Sequence, residues 1–186
     1  MSFKPTREEA EQAVRTLIAW AGDNPNREEL LETPKRVVDS YAEFFSGYHE
    51  NLNKKIDKTF DNIDGYDDMI ILREIAFESH CEHHMVPIIG KAKVAYIPDK
   101  KIIGLSKMAR IVDVFSKRLQ IQERLVVEIA DCLNKIVAPK GVAVMLESSH
   151  QCLSTRGAYK PGSSMRTMHM IGCFKEDKIR KEFLNI

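Results

Sequence analysis

The stretch "GKAKVAYIPD", residues 90–99, decides how the rest of the chain reads. Ala92, Val94 and Tyr96 alternate with Lys91, Lys93 and Ala95. A period of two marks a strand with one face turned to a core. "PDKK", residues 98–101, then supplies a turn. Upstream, "MIILREIAF" at 69–77 reads as a partner strand. Downstream the period lengthens. Ser106 is placed to cap a helix with Met108, Ile111, Val112 and Phe115 on one face. A second helix is predicted from about Gln122 to Val137, with Leu125, Ile129, Leu133 and Ile136 inward and Pro139 and Gly141 ending it. "VAVMLESS" and "MRTMHMIGCF" close the chain as strands. Strand, strand, helix, helix, strand, strand predicts an α+β fold, an antiparallel sheet with two helices on one face.

The residues before this block read differently. Thr6 and Glu9 have capping-box spacing. Ala10, Val14, Leu17, Ile18 and Ala21 recur at helical period. Asn26 is placed to cap a second short piece, and Thr33-Pro34 reads as an N-cap followed by a first-turn proline. The polar, turn-rich run 51–68 marks a boundary. The expected division is an N-terminal helical region, 1–65, and a catalytic domain, 66–186.

The 186 residues are 44% hydrophobic and 30% charged with a formal net charge of +1. That balance gives no electrostatic reason to expect nucleic acid or a membrane surface as partner. No apolar run reaches the ~18 residues of a membrane span, and the start shows no signal peptide. Four scattered cysteines do not form a disulfide framework. The expectation is a cytoplasmic protein with reduced thiols.

"ESHCEHHMVPIIG", residues 78–90, crowds His80, Cys81, His83 and His84 into one turn. Cys81 and His84 are three apart, and in a tight turn after a strand both side chains reach one side. "SSHQCL" offers His150 and Cys152, two apart and so on one face of a strand. With Cys152 as third ligand, Cys81, His84 and Cys152 form a three-protein-ligand zinc set with one open position, while His83 and His150 stay near the metal and free to move protons. A closed four-ligand structural zinc remains the rival reading. His80 reads as a packing residue or a partner of a ligand.

In "GLSKMAR", Ser106, Lys107 and Arg110 gather at a helix start. Exposed N–H groups, the helix dipole and two cations suit a polyphosphate; a solvated basic helix end is the plain alternative. Arg156, four residues past Cys152, adds a guanidinium. Glu123 in "QIQERL" offers a carboxylate that can accept two N–H bonds from a guanine edge. Its plain alternative is a surface network with Arg118 and Arg124.

"CEHHMVPIIGKAKVAYIP", "IGLSKMARIV", "QIQERL" and "HQCLSTRG" resemble, in order, the signature blocks of the GTP cyclohydrolase I family. The resemblance implies zinc-dependent hydrolytic opening of the guanine imidazole ring of GTP, with release of formate and formation of 7,8-dihydroneopterin triphosphate, the entry to folate or tetrahydrobiopterin synthesis. It implies Cys81, His84 and Cys152 as zinc ligands and His83, His150 and Ser106 as catalytic groups. Lys107, Arg110 and Arg156 would hold the triphosphate side, and Gln122 and Glu123 the guanine. It also implies the tunnelling (T-) fold, in which sheets of several subunits close into a barrel, and a homodecamer with sites at subunit interfaces. Three rival functions are weighed: a pterin- or nucleotide-binding protein without turnover, against which His83, His150 and Glu123 speak; a structural zinc module on nucleic acid, against which the near-neutral charge speaks; and the same fold with other chemistry, such as nitrile reduction or another metal, whose members lack this Cys-Glu-His-His block with a downstream His-x-Cys.

Overall fold

In the computed structural model, residues 4–56, 58–62 and 64–186 are described. Seven helices run along the described chain: α1 (Arg7–Trp20), α2 (Thr33–Phe44), α3 (Leu52–Lys55), α4 (Leu105–Ser116), α5 (Gln122–Val137), α6 (Gln151–Ser154) and α7 (Asp177–Asn185). Seven strands accompany them: β1 (Phe60–Asp61), β2 (Ile70–Cys81), β3 (Pro87–Ile97), β4 (Lys101–Ile102), β5 (Leu119–Gln120), β6 (Gly141–His150) and β7 (Met165–Gly172). The chain forms two compact units, one ending at Ser46 and one running from Gly47 to Ile186.

The first unit holds α1 and α2. The capping box at α1 is present: Thr6 Oγ1 accepts from Glu9 N–H, and Glu9 accepts from Thr6 N–H. Arg7 links the pair, with Glu11 at 2.8 Å and Asp39 of α2 at 2.7 Å. The expected caps further on move by a residue or more. Glu32, not Thr33, is the N-cap of α2, and Arg27, not Asn26, precedes the 3-10 turn Glu28–Leu30. The polar run 51–68 carries the short α3 and β1; Asp57 and Ile63 within it lie outside the described residues.

The second unit is built on a five-stranded sheet in the order β5-β2-β3-β6-β7. The long neighbours pair antiparallel, and β5 adds two residues parallel to the end of β2. The alternation in 90–97 behaves as the sequence predicts. Ala92, Val94 and Tyr96 enter a core with Met108, Ile111 and Val112 of α4 and Leu125, Ile129 and Leu133 of α5. Val142, Val144 and Leu146 of β6 complete that layer. Two helices therefore lie on one face of an antiparallel sheet, the subunit architecture expected for the tunnelling fold. Tyr96 is fully buried, and its hydroxyl accepts from Ile103 N–H at 3.0 Å. Left without that acceptor, a buried N–H costs about 1–3 kcal/mol.

The opposite face is not wholly open. Ala95, Ala143 and Met170 pack under Phe174 and Phe183, whose rings meet edge to face at 5.8 Å. Phe174 lies in the 3-10 turn Cys173–Lys175, and Phe183 is carried by α7, a helix the sequence pattern does not predict. Lys93, expected to face water, lies 5.3 Å over the Phe183 ring. The helix starting near Ser106 also differs in detail. Gly104 is its N-cap without a side-chain cap bond, so Ser106 sits within the first turn rather than before it.

Candidate functional site

The turn that follows β2 is held by the backbone. Cys81 N–H donates to Val86 O at 2.9 Å, and Met85 N–H donates to Cys81 O at 2.7 Å. Met85 takes a left-handed conformation, φ 54°, which lets the chain reverse within four residues. Glu82 N–H donates to Gln120 O at 3.1 Å, so β5 braces the turn. This local geometry carries Cys81 and His84 to one side. His84 Nδ1 lies 3.7 Å from Cys81 Sγ.

Cys152 arrives from a different element than expected. β6 ends at His150, and Cys152 lies in α6, the helical turn that follows. The shared strand face for His150 and Cys152 is thus corrected. The helical turn, not the two-residue strand repeat, swings the thiol back towards Cys81. Ligand atoms of Cys81, His84 and Cys152 all lie within 4.8 Å of one another. Ligands of a tetrahedral zinc stand roughly 3.3–3.8 Å apart, given bonds of about 2.0–2.3 Å. Two sulfurs and an imidazole at this separation suit a borderline-soft divalent ion. Burial and the adjacent Cys81 push the Cys152 thiol above its ordinary pKa, while Arg156 opposes the shift. A metal would displace that proton on binding.

Arg156 approaches from the same segment as Cys152. Its Nη1 donates to His84 Nε2 at 2.8 Å. A guanidinium only donates, so His84 Nε2 is the acceptor of this contact. A metal on Nδ1 would require the ring proton on Nε2, so metal binding would break the Arg156 bond and release the guanidinium.

A cleft of about 310 Å³ opens over these groups. Cys81, His83, Gln122, Glu123, His150 and Cys152 line it, with Met165 and Ile88 as apolar walls. His83 Nδ1 is 3.8 Å from Cys81 Sγ, and its ring is largely exposed. His150 is half-buried. Burial lowers its pKa, with Glu123 acting in the opposite sense. Glu123 is exposed, and the expected network around it does not form. Arg124 pairs with Glu82 at 2.5 Å, and Arg118 donates to Gly47 O and lies 4.8 Å over the Phe115 ring. The carboxylate at the start of α5 thus faces the cleft without either of those arginines on it.

Within one chain the groups expected on the triphosphate side stand apart. Ser106, Lys107 and Arg110 are on α4 and do not line this cleft. Lys107 Nζ donates to Lys58 O at 2.7 Å. His80 is buried in β2, and burial lowers its pKa, which fits a packing imidazole.

Two participants escape the sequence reading. Glu82, inside the cysteine-histidine block, anchors to Arg124, whose Nε donates to buried Gln120 at 3.0 Å. Ser148 donates to Gln122 at 2.6 Å. The only available signal for Ser148 is its two-residue spacing from His150 along β6.

Known proteins share this chain along nearly its whole length. The sequence profile of the family described as GTP cyclohydrolase I matches residues 10–186. The GTP cyclohydrolase 1 of Maricaulis maris is 54% identical over 182 residues, 98% of this chain and 89% of that protein. The GTP cyclohydrolase 1 of Brucella canis is 54% identical over 173 residues, 93% of this chain and 81% of that protein. A crystal structure of the archaeosine synthase QueF-Like in the apo form overlays 56% of this chain and 93% of its own, at 20% identity and a TM-score of 0.47. No helix among the described residues is long and apolar enough to cross a membrane. The profile match and relatives at this identity over such coverage leave one conclusion: the chain belongs to the GTP cyclohydrolase I family.

Proposed function

We propose that the chain converts GTP to 7,8-dihydroneopterin triphosphate with release of formate, in a zinc-dependent reaction centred on the 81–84 turn. The observation that carries this reading is the convergence of Cys81, His84 and Cys152 beneath a cleft that also holds His83, His150 and Glu123. Zinc on the three ligands would supply the Lewis acidity that activates water near neutral pH. The chain's own groups do the rest. Glu123 accepts from the ring N–H and amino group of guanine and orients the base. His150 in its imidazolium form, made more acidic by burial, gives its proton to guanine N7 and returns to the neutral imidazole, and protonation at N7 makes C8 electrophilic. His83, beside the ligand turn, moves protons as the imidazole ring opens and formate leaves. Ser106 takes part in proton transfer during the sugar rearrangement, and Lys107, Arg110 and Arg156 hold the triphosphate.

A binding protein without turnover would have no need of His83 and His150 at the metal rim. Incubation of the purified protein with GTP is expected to yield formate and a dihydropterin absorbance. Both should disappear with a zinc chelator and return with added zinc. Zinc-loaded protein that releases no formate would refute the reading.

The catalytic region, 66–186, is completed by assembly in this proposal. Ser106, Lys107 and Arg110 stand away from the cleft, so a neighbouring subunit would bring its own copies to it. The sheet also has edges to cover: β7 has one free side, and β5 pairs with only His80 and Cys81 of β2. Unpaired edges favour association. Light scattering is expected to give a homodecamer, ten copies of the 21.3 kDa chain; an active monomer would contradict it. The four cysteines are free thiols, which supports a reducing, cytoplasmic setting.

A further inference from the structure

Gln122 is the first residue of α5, yet its side chain does not cap that helix. It turns into the sheet and is almost wholly buried, at 1% exposure. Its amide nitrogen donates to Leu146 O at 3.1 Å and to Met165 O at 3.0 Å. Carbonyl oxygens only accept, so the atom facing them is the nitrogen and the amide cannot be flipped. The oxygen then lies on the other side. It accepts from Ser148 Oγ at 2.6 Å and meets His150 Nε2 at 2.9 Å. An amide has two N–H donors and two lone pairs. All four are committed inside this chain, and none is left for a base in the cleft.

The contact with His150 has a direction. An amide oxygen cannot donate, so His150 Nε2 carries a proton whenever this bond is made. That leaves Nδ1 as the ring nitrogen that exchanges its proton. The two backbone carbonyls set the amide, and the amide sets the imidazole.

We infer that Gln122 is a positioning residue for His150, holding the imidazole as its Nε2-protonated tautomer with Nδ1 free, and that side-chain recognition of guanine falls to Glu123. This inference rests on the proposed function for its catalytic consequence but not for the tautomer. A tie of purely structural meaning would affect folding without selecting a ring nitrogen. Partners that orient a metal-ligating imidazole typically matter by about 10- to 100-fold; His150 moves a proton rather than ligating, and turnover is expected to respond on the same scale.

The test uses zinc-loaded protein labelled with 15N-histidine, read by solid-state NMR, with the His150 signals identified by their loss in His150→Phe. The wild type is expected to show His150 protonated at Nε2. A His150 protonated at Nδ1 alone overturns the inference, whatever any variant does. In Gln122→Met, which keeps length and removes every hydrogen bond, the two tautomers should mix. Its kcat for GTP should fall about 10- to 100-fold with KM within about twofold. A wild-type kcat, or a loss confined to KM, would return the side chain to substrate binding and overturn the inference. If Gln122→Met does not fold, the wild-type tautomer decides alone. If the wild type has no activity on GTP, the proposed function fails and the tautomer measurement still judges Gln122.

Discussion

Cys152→Ala is expected to leave the protein without stoichiometric zinc and without turnover. The metal set has three protein donors, and the open fourth place contributes no protein atom. The remaining Cys81 and His84 come from one four-residue turn, so Cys152 is the sole tie between that turn and the β6–α6 segment at the metal. Removing it leaves a two-point site, and Arg156 competes with the metal for His84 through its bond to Nε2. Lewis-acid activation is worth several kcal/mol of transition-state stabilisation. Each 1.36 kcal/mol is tenfold in rate, so a loss of roughly 10³-fold or more is expected. Metal analysis by mass spectrometry alongside formate release checks both halves. The alanine at 152 removes a half-buried thiol rather than a core side chain, so the fold should persist. A folded variant with one zinc per chain would exclude Cys152 as a ligand.

His83→Ala should behave in the opposite way at the metal. Zinc is expected to stay near one per chain, while kcat falls by roughly 10²- to 10⁴-fold, the range for a positioned general acid or base. The two adjacent histidines are almost equidistant from Cys81 Sγ, 3.8 Å for His83 and 3.7 Å for His84. That single distance cannot separate their roles. The third ligand does, since the converging set with Cys152 contains His84 and not His83. His83 is also the more solvent-exposed of the cleft's two free histidines, with Glu82 Oε1 3.9 Å from its Nε2. A zinc-loaded variant with wild-type kcat would remove His83 from the chemistry. Loss of zinc in His83→Ala would exchange the roles of the two histidines.

These paired outcomes bear on how much of the site is legible without coordinates. Local features are. The capping box at Thr6 and Glu9, the span of α5, and the alternation through Ala92, Val94 and Tyr96 all follow from periodicity and short-range hydrogen bonding. The Cys81–His84 spacing is local too, because a turn of four residues brings its ends together whatever surrounds it. Cap positions at Thr33 and Ser106 shift by one or two residues because backbone geometry, not the residue's preference, decides where a helix enters.

Other features depend on residues far apart in sequence. α7 over the second sheet face is marked by no long apolar stripe. It needs Phe183 to find Phe174 and the Ala95–Ala143 surface. Arg124 had Glu123 beside it in sequence, yet pairs with Glu82, 42 positions away. A side chain bonds whatever the fold brings within reach. Gln122 shows this most clearly. The family resemblance makes it one half of a base-recognition pair with Glu123. In the folded chain the two part company, since consecutive residues at a helix start point in different directions. Glu123 faces the cleft, and Gln122 is saturated by β6 and β7. Sequence alone determined the four long strands, α1, α4 and α5, the sheet-facing residues of β3 and the chemical types at the site, because these depend on near neighbours and composition. Tertiary structure alone decided that Cys152 reaches Cys81 and His84 from a helical turn and that the Gln122 amide is fully committed within the chain, because burial and hydrogen-bond saturation are properties of segments brought together by folding.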